Sequence, residues 1–63
     1  GGVMKIVVYL LDGSNIELFD CDEEDVKRLT SQFSNRHLMH AKNVYINPKQ
    51  VVSFFVYGNE GEK

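Results

Sequence analysis

Residues 3–19, VMKIVVYLLDGSNIELF, contain two apolar runs that flank an Asp-Gly pair. Eight of the nine residues from 3 to 11 are apolar, and many are β-branched, which favours a strand over a short helix. Asp12-Gly13 indicates a tight turn, because glycine adopts the positive φ that hairpin loops require. We therefore predict a β-hairpin with Asp12-Gly13 as a two-residue loop. This register pairs Tyr9 with Ile16 and Ile6 with Phe19.

A run of acids at residues 20–25, DCDEED, predicts the beginning of a helix. Asp20 or Asp22 can accept hydrogen bonds from the first free N–H groups, with Glu23 or Asp25 three residues later completing a capping box. The carboxylates also favour the positive end of the helix dipole. A narrow apolar stripe at helical spacing follows, formed by Val26, Leu29 and Phe33. We expect the helix to end near residues 34–36.

The C-terminal half predicts two further strands. Residues 37–43 allow one more helical turn, an irregular connection or a short strand. Residues 44–46 form a short strand, Asn47-Pro48 begins a turn, and residues 51–57 form the last strand. The predicted class is α+β, a small single-layer antiparallel sheet with one helix on one face, in the order ββαββ. Residues 3–57 make one domain, residues 1–2 are interpreted as an expression remnant, and residues 58–63 as a flexible polar tail.

The composition is that of a small globular domain, with 63 residues of which 43% are hydrophobic and 25% charged. The longest apolar run, residues 6–11, is far shorter than the roughly 20 residues that cross a bilayer. A single cysteine, Cys21, cannot form an intrachain disulfide, which favours a reducing, cytoplasmic location. Its acidic neighbours oppose thiolate formation, so we do not expect a catalytic role for it.

Two of the predicted strands are apolar on both faces, whereas the single helix can cover only one face. A chain of this length buries little of its surface by itself, so self-association is expected to contribute stability. We predict a homodimer formed through a sheet face or a strand edge. The predicted dimer face consists of Ile6, Val8, Leu10, Phe19 and Phe55. In the alternative hypothesis, residues 37–43 and the tail fold over that face instead.

The predicted function is that of a non-enzymatic protein-interaction or regulatory module with an unknown protein partner. The sequence contains no nucleotide-binding or nucleophile motif, and His37 and His40, spaced i and i+3, are weak evidence for a metal site. We therefore expect no cofactor and no metal. The alternative is weak binding of single-stranded nucleic acid by the basic segment 27–49, although the net charge is −2. Its basic rim would consist of Lys27, Arg28, Arg36, Lys42 and Lys49. Tyr45, Phe54, Phe55 or Tyr57 would stack on bases.

Overall fold

The computed structural model describes residues 3–58 and contains one helix with five strands. In chain order these are β1 (Met4–Leu10), β2 (Asn15–Cys21), α1 (Glu23–Ser34), β3 (Met39–Ala41), β4 (Val44–Ile46), a 3-10 turn (Pro48–Gln50) and β5 (Val51–Gly58). The α+β class is confirmed. The order is ββαβββ rather than ββαββ, because residues 39–41 add a strand. The predicted remnant, residues 1–2, and residues 59–63 of the predicted tail lie outside the described residues.

The strands form two antiparallel sheets instead of the single predicted sheet. One has three strands in the order β2-β1-β5, and the other is the β3-β4 hairpin. Met39 and Ala41 of this hairpin are fully buried in the same core as Ile6 and Leu29. The hairpin and the helix therefore cover the same side of the three-stranded sheet. Residues 39–41 thus cover the side that holds Ile6 and Val8 of the predicted dimer face, as the alternative hypothesis expected, but not the side that holds Phe19 and Phe55.

The β1–β2 loop has three residues rather than two. Leu10 N–H donates to the Ser14 carbonyl at 2.9 Å, and Gly13 N–H donates to the Leu10 carbonyl at 3.0 Å. Gly13 has a φ of 91°, the left-handed conformation that ends a three-residue hairpin loop. The Asp12 carboxylate braces this loop by accepting from Ser14 N–H at 2.9 Å. As a result Ile6 pairs with Leu18, and the predicted pairing of Ile6 with Phe19 is wrong by one residue.

A β-bulge near the end of β2 turns Cys21 into the core. Met4 pairs with Cys21 and Ile6 pairs with Leu18, so one residue too many stands opposite Lys5. Asp20, with a φ of 61°, occupies the left-handed region at this point. A regular strand would direct Cys21 to the face opposite Leu18, whereas the bulge places both in the core, with the thiol fully buried.

The helix begins and ends as its sequence predicts. Asp22 is the N-cap and forms a capping box with Asp25, each accepting the other's N–H at 3.0 Å. At the other end, Arg36 N–H donates to Phe33 and His37 N–H donates to Gln32, which is a Schellman arrangement. Within the predicted stripe Leu29 is fully buried, Val26 is half-buried, and Phe33 lies at the margin of the core.

Two helix side chains bind the backbone of β3. Arg28 Nε donates to the His40 carbonyl at 3.1 Å, and His40 N–H donates to Gln32 Oε1 at 2.9 Å. Both backbone groups of His40 are thereby satisfied although β3 is only three residues long. No helix within residues 3–58 has the length and apolar character needed to cross a membrane.

Candidate interaction surface

The face of the three-stranded sheet opposite the helix is covered by no other described element, and we name it the open face. Directly opposed residues share a face, so the register places Val7 of β1 beside Glu17 of β2 and Phe55 of β5. Alternation along the strands adds the remaining members. The open face consists of Lys5, Val7, Tyr9, Asn15, Glu17, Phe19, Ser53, Phe55 and Tyr57.

Aromatic rings dominate the open face and contact one another or Lys5. The Lys5 ammonium lies 5.7 Å from the ring centroid of Phe19 and 5.5 Å from that of Tyr57. Both distances fall within the range of a cation–π contact. Tyr9 meets Phe55 edge to face, with centroids 5.6 Å apart. Phe19, Phe55 and Tyr57 nevertheless remain 56%, 50% and 48% exposed.

The predicted dimer face does not exist as one surface. Ile6 and Val8 are fully buried in the core on the helix side, and the half-buried Leu10 packs against that core. Only Phe19 and Phe55 lie on the open face. The cause is the one-residue error in the hairpin register, which placed Ile6 and Phe19 on the same side. Lys5, Tyr9 and Tyr57 were missed, and alternation counted from Phe55 along β5 identifies Tyr57.

The outer edge of β5 is the second component of the surface, since β5 ends the sheet and pairs only with β1 among the described strands. Its sequence, VVSFFVYG, contains no charged residue. Val56 extends from the helix side and is 41% exposed, while Phe55 and Tyr57 extend from the open face. A bulge at Val52 lets Leu10 pair with Val51 and leaves Val52 58% exposed. We name this strand margin the β5 edge.

The opposite edge of the sheet, β2, differs from the β5 edge. It carries the exposed acids Glu17 and Asp20 and the bulge opposite Lys5. Charges and bulges are the devices by which native edge strands avoid pairing with other chains. Both edges of the sheet contain a bulge, but only β2 also carries charged side chains, so β5 is the less protected edge.

The predicted basic rim is not one continuous surface. Arg28 is engaged with the His40 carbonyl and forms an ion pair with Asp25. Lys27 is exposed on the helix, and Lys42 lies in the β3–β4 turn with a φ of 57°. Only Arg36 and Lys49 line a common groove.

His40 and Cys21 pack within the fold, whereas His37 is exposed. His40 stacks on Tyr45 with ring centroids 5.6 Å apart, and His37 N–H belongs to the helix C-terminal motif. Among residues 3–58, no three His, Cys, Asp or Glu side chains gather closely enough to hold a metal ion. Burial raises the pKa of the Cys21 thiol, and the carboxylate of Asp25 raises it further. Such a thiol is a weak nucleophile at neutral pH.

Comparison of the chain with protein-family models, curated proteins and solved structures finds no match.

The aromatic residues proposed to stack on bases are also divided among surfaces. Phe55 and Tyr57 lie on the open face, Phe54 packs against Phe33 on the helix side, and Tyr45 belongs to the β3–β4 hairpin. Lys5 is the one cation of the open face, and Glu17 shares that face with it. The groove that holds Arg36 and Lys49 is on the helix side, since Phe33 and Val51 line it. The stacking surface and the basic segment are thus separate.

Proposed function

We propose that this chain is a non-enzymatic protein-interaction module that works as a homodimer joined through the β5 edge. The supporting observation is that the outer edge of β5 pairs with no described strand, and that β5 exposes large apolar side chains on both faces. An unpaired apolar edge offers a row of free N–H and C=O groups to another strand. Unlike β2, this edge carries no charge that would oppose pairing.

A second copy is the occupant that fits the β5 edge best. Antiparallel pairing of β5 with itself about Phe55 places the two Phe55 side chains side by side and sets Ser53 of each copy opposite Tyr57 of the other. The same patch then serves both partners, as a two-fold contact requires. Because the strand is uncharged, no like charges meet across the axis. Two three-stranded sheets become one six-stranded sheet.

Association at this edge supplies the stability that so short a chain lacks. A domain of about 60 residues buries only about 60% of the surface that its unfolded chain exposes. Every apolar side chain covered at the interface adds about 25 cal/mol per Å² of buried area. Val52 and Val56, which are 58% and 41% exposed, would be shielded in this way.

The same pairing would create the surface on which the dimer meets an unknown protein partner. A two-fold axis perpendicular to the sheet keeps both open faces on the same side. The aromatic rings of the two copies would then form one continuous surface, suited to a partner with apolar side chains. We place this module in the cytoplasm, since its lone cysteine suits a reducing compartment.

Binding of single-stranded nucleic acid is the second hypothesis, favoured by the position of Lys5 between two exposed aromatic rings. Glu17 on the same face and the net charge of −2 weigh against it. A titration with labelled single-stranded DNA at about 50 and 200 mM salt decides between the two. Binding that falls steeply with salt would support the nucleic-acid hypothesis. Absence of binding at low salt would remove it.

The dimer proposal is tested by light scattering together with hydrogen exchange. We expect a mass of twice the 7.2 kDa of the chain at high concentration. We also expect amides on the outer side of β5 to become protected as the protein concentration rises, while the amides of β2 do not change. A constant mass of 7.2 kDa up to millimolar concentration would contradict the proposal. Concentration-dependent protection confined to β2 would also contradict it.

A further inference from the structure

A groove of about 730 Å³ lies between the C-terminal end of α1 and the 3-10 turn. Its apolar lining comes from Phe33, Leu38, Pro48 and Val51, and its cations are Arg36 and Lys49. Sites for small organic molecules have volumes of about 300 to 1,000 Å³ and combine an apolar lining with a few polar groups. In size and composition, this groove matches such a site.

The charged side chains that line the groove are all positive. No Asp or Glu lines it, and the sequence contains no acid between residues 26 and 59. Within residues 3–58, the only ion pair joins Arg28 to Asp25, which leaves Arg36 and Lys49 without an anionic partner there. A ligand with a negative charge would be complementary to this pair of cations.

The backbone of Arg36 provides a second observation. Its φ of 60° places it at the helix C-terminal position where glycine is normally favoured. A side chain in this conformation is strained, and strain of this kind concentrates at functional sites. Arg36 makes no side-chain hydrogen bond within the described residues, whereas Arg28, in the middle of α1, makes two. Within residues 3–58, no hydrogen bond or ion pair of the Arg36 guanidinium therefore offsets the strained backbone.

We infer that this groove binds a small organic carboxylate with a flat apolar body. The carboxylate would pair with the guanidinium of Arg36 and the ammonium of Lys49. The apolar body would cover Phe33 and Leu38, which are 36% and 56% exposed. Arginine suits this task because its planar donors match the two oxygens of a carboxylate. The site is separate from the proposed dimer contact, because Val51, the first residue of β5, is the only residue of that strand that lines the groove.

The experiment is an NMR titration of the full chain with 4-phenylbutyrate as the probe, following the backbone amides. We expect saturable shifts at Phe33, Arg36, Leu38 and Lys49. The neutral analogue 4-phenylbutanol tests the need for charge, and inorganic phosphate tests the need for an apolar body. Phenylbutyrate should bind about tenfold more tightly than the alcohol, the usual effect of one charge-assisted contact. Equal binding of the alcohol, or equal shifts with phosphate, would overturn the proposal.

Two variants make the test independent of folding. Arg36→Gly removes the guanidinium and supplies the residue that the left-handed backbone prefers, so the fold should be retained. Combined with Lys49→Gln, it should abolish saturable shifts in the groove. The matched control, Lys27→Gln with Lys42→Gln, removes the same charge from residues that do not line the groove. Unchanged binding in the groove variant, or equal weakening in the control, would show that these cations do not form the site.

Discussion

Tyr9 and Phe55 meet edge to face across β1 and β5, with ring centroids 5.6 Å apart and ring planes at 84°. Tyr9 therefore fixes one side of the Phe55 ring, while half of that side chain stays exposed beside the β5 edge. The residue at the centre of the proposed dimer contact is held in place before any partner binds. Pre-ordering of this kind lowers the entropy cost of association.

The contact between Tyr9 and Phe55 should be measurable as a coupling free energy. Replacing each by Leu, singly and together, keeps apolar volume and removes the edge-to-face geometry. We expect a coupling of about 0.5 to 1.5 kcal/mol in the free energy of urea unfolding. The measurement is made at micromolar concentration so that association contributes little. Strictly additive single and double variants would contradict the interaction.

Arg36→Gly should stabilise the chain by about 0.5 to 1 kcal/mol, because glycine adopts the left-handed backbone without a steric penalty. Urea unfolding measures the difference. Arg36→Ala is the matched control, because it removes the charge but keeps a Cβ in the strained position. If the alanine variant is as stable as the glycine variant, the backbone at residue 36 is not strained.

The capping box should make stability depend on pH. The hydrogen bond from Asp22 N–H lowers the pKa of the Asp25 carboxyl below 3.8, with Arg28 acting in the same direction. A lowered folded pKa stabilises the fold above the unfolded pKa, and this contribution is lost as pH falls through the folded pKa. Asp25→Asn should therefore reduce stability by about 1 kcal/mol at pH 7.

As pH falls from about 4 through the lowered pKa of the Asp25 carboxyl, the difference between wild type and Asp25→Asn should shrink, because below that pKa both side chains are uncharged. Thermal unfolding between pH 2 and pH 7 measures it. Glu24→Gln is the control, since the side chain of this exposed acid makes no hydrogen bond within residues 3–58. A pH-independent difference for Asp25→Asn, or an equal effect of Glu24→Gln, would contradict the assignment to the capping box.

Cys21 should react slowly with thiol reagents, because the side chain is fully buried and its pKa is raised. We expect labelling by a chromogenic disulfide reagent at pH 7.5 to be at least about a hundredfold slower than in urea. Leu29→Ala, which empties part of the same core, should accelerate the reaction. Rapid and complete labelling of the native protein would show that the bulge at Asp20 does not bury the thiol.

Local signals in the sequence predicted the helix more accurately than the sheet. The Asp22–Asp25 pair and the Val26, Leu29 and Phe33 spacing depend only on neighbours along the chain, and both are found. The register depended on the length of one loop, and a single residue exchanged the faces on which Phe19 and Leu18 were expected. A slip of one residue has this effect because strand side chains alternate with a period of two.

The candidate surface was only partly predictable for the same reason. Phe55 and Phe19 were expected to be exposed, but the companions assigned to them, Ile6 and Val8, are core residues. To predict that the β5 edge is free, one would have to know that β3 and β4 form a separate hairpin rather than extending the main sheet. A strand of three residues such as β3 gives too short a pattern for its pairing to be predicted.

The most direct test of the dimer is the solution mass of two matched valine variants. Val56, on the β5 edge, and Val3, just before β1, are each 41% exposed, so replacing either by Lys makes the same chemical change. Sedimentation equilibrium at about 0.5 mM should give twice 7.2 kDa for the wild type and Val3→Lys, and 7.2 kDa for Val56→Lys. Circular dichroism should show that both variants are folded. A Val56→Lys protein that dimerises as strongly as Val3→Lys would contradict pairing through the β5 edge.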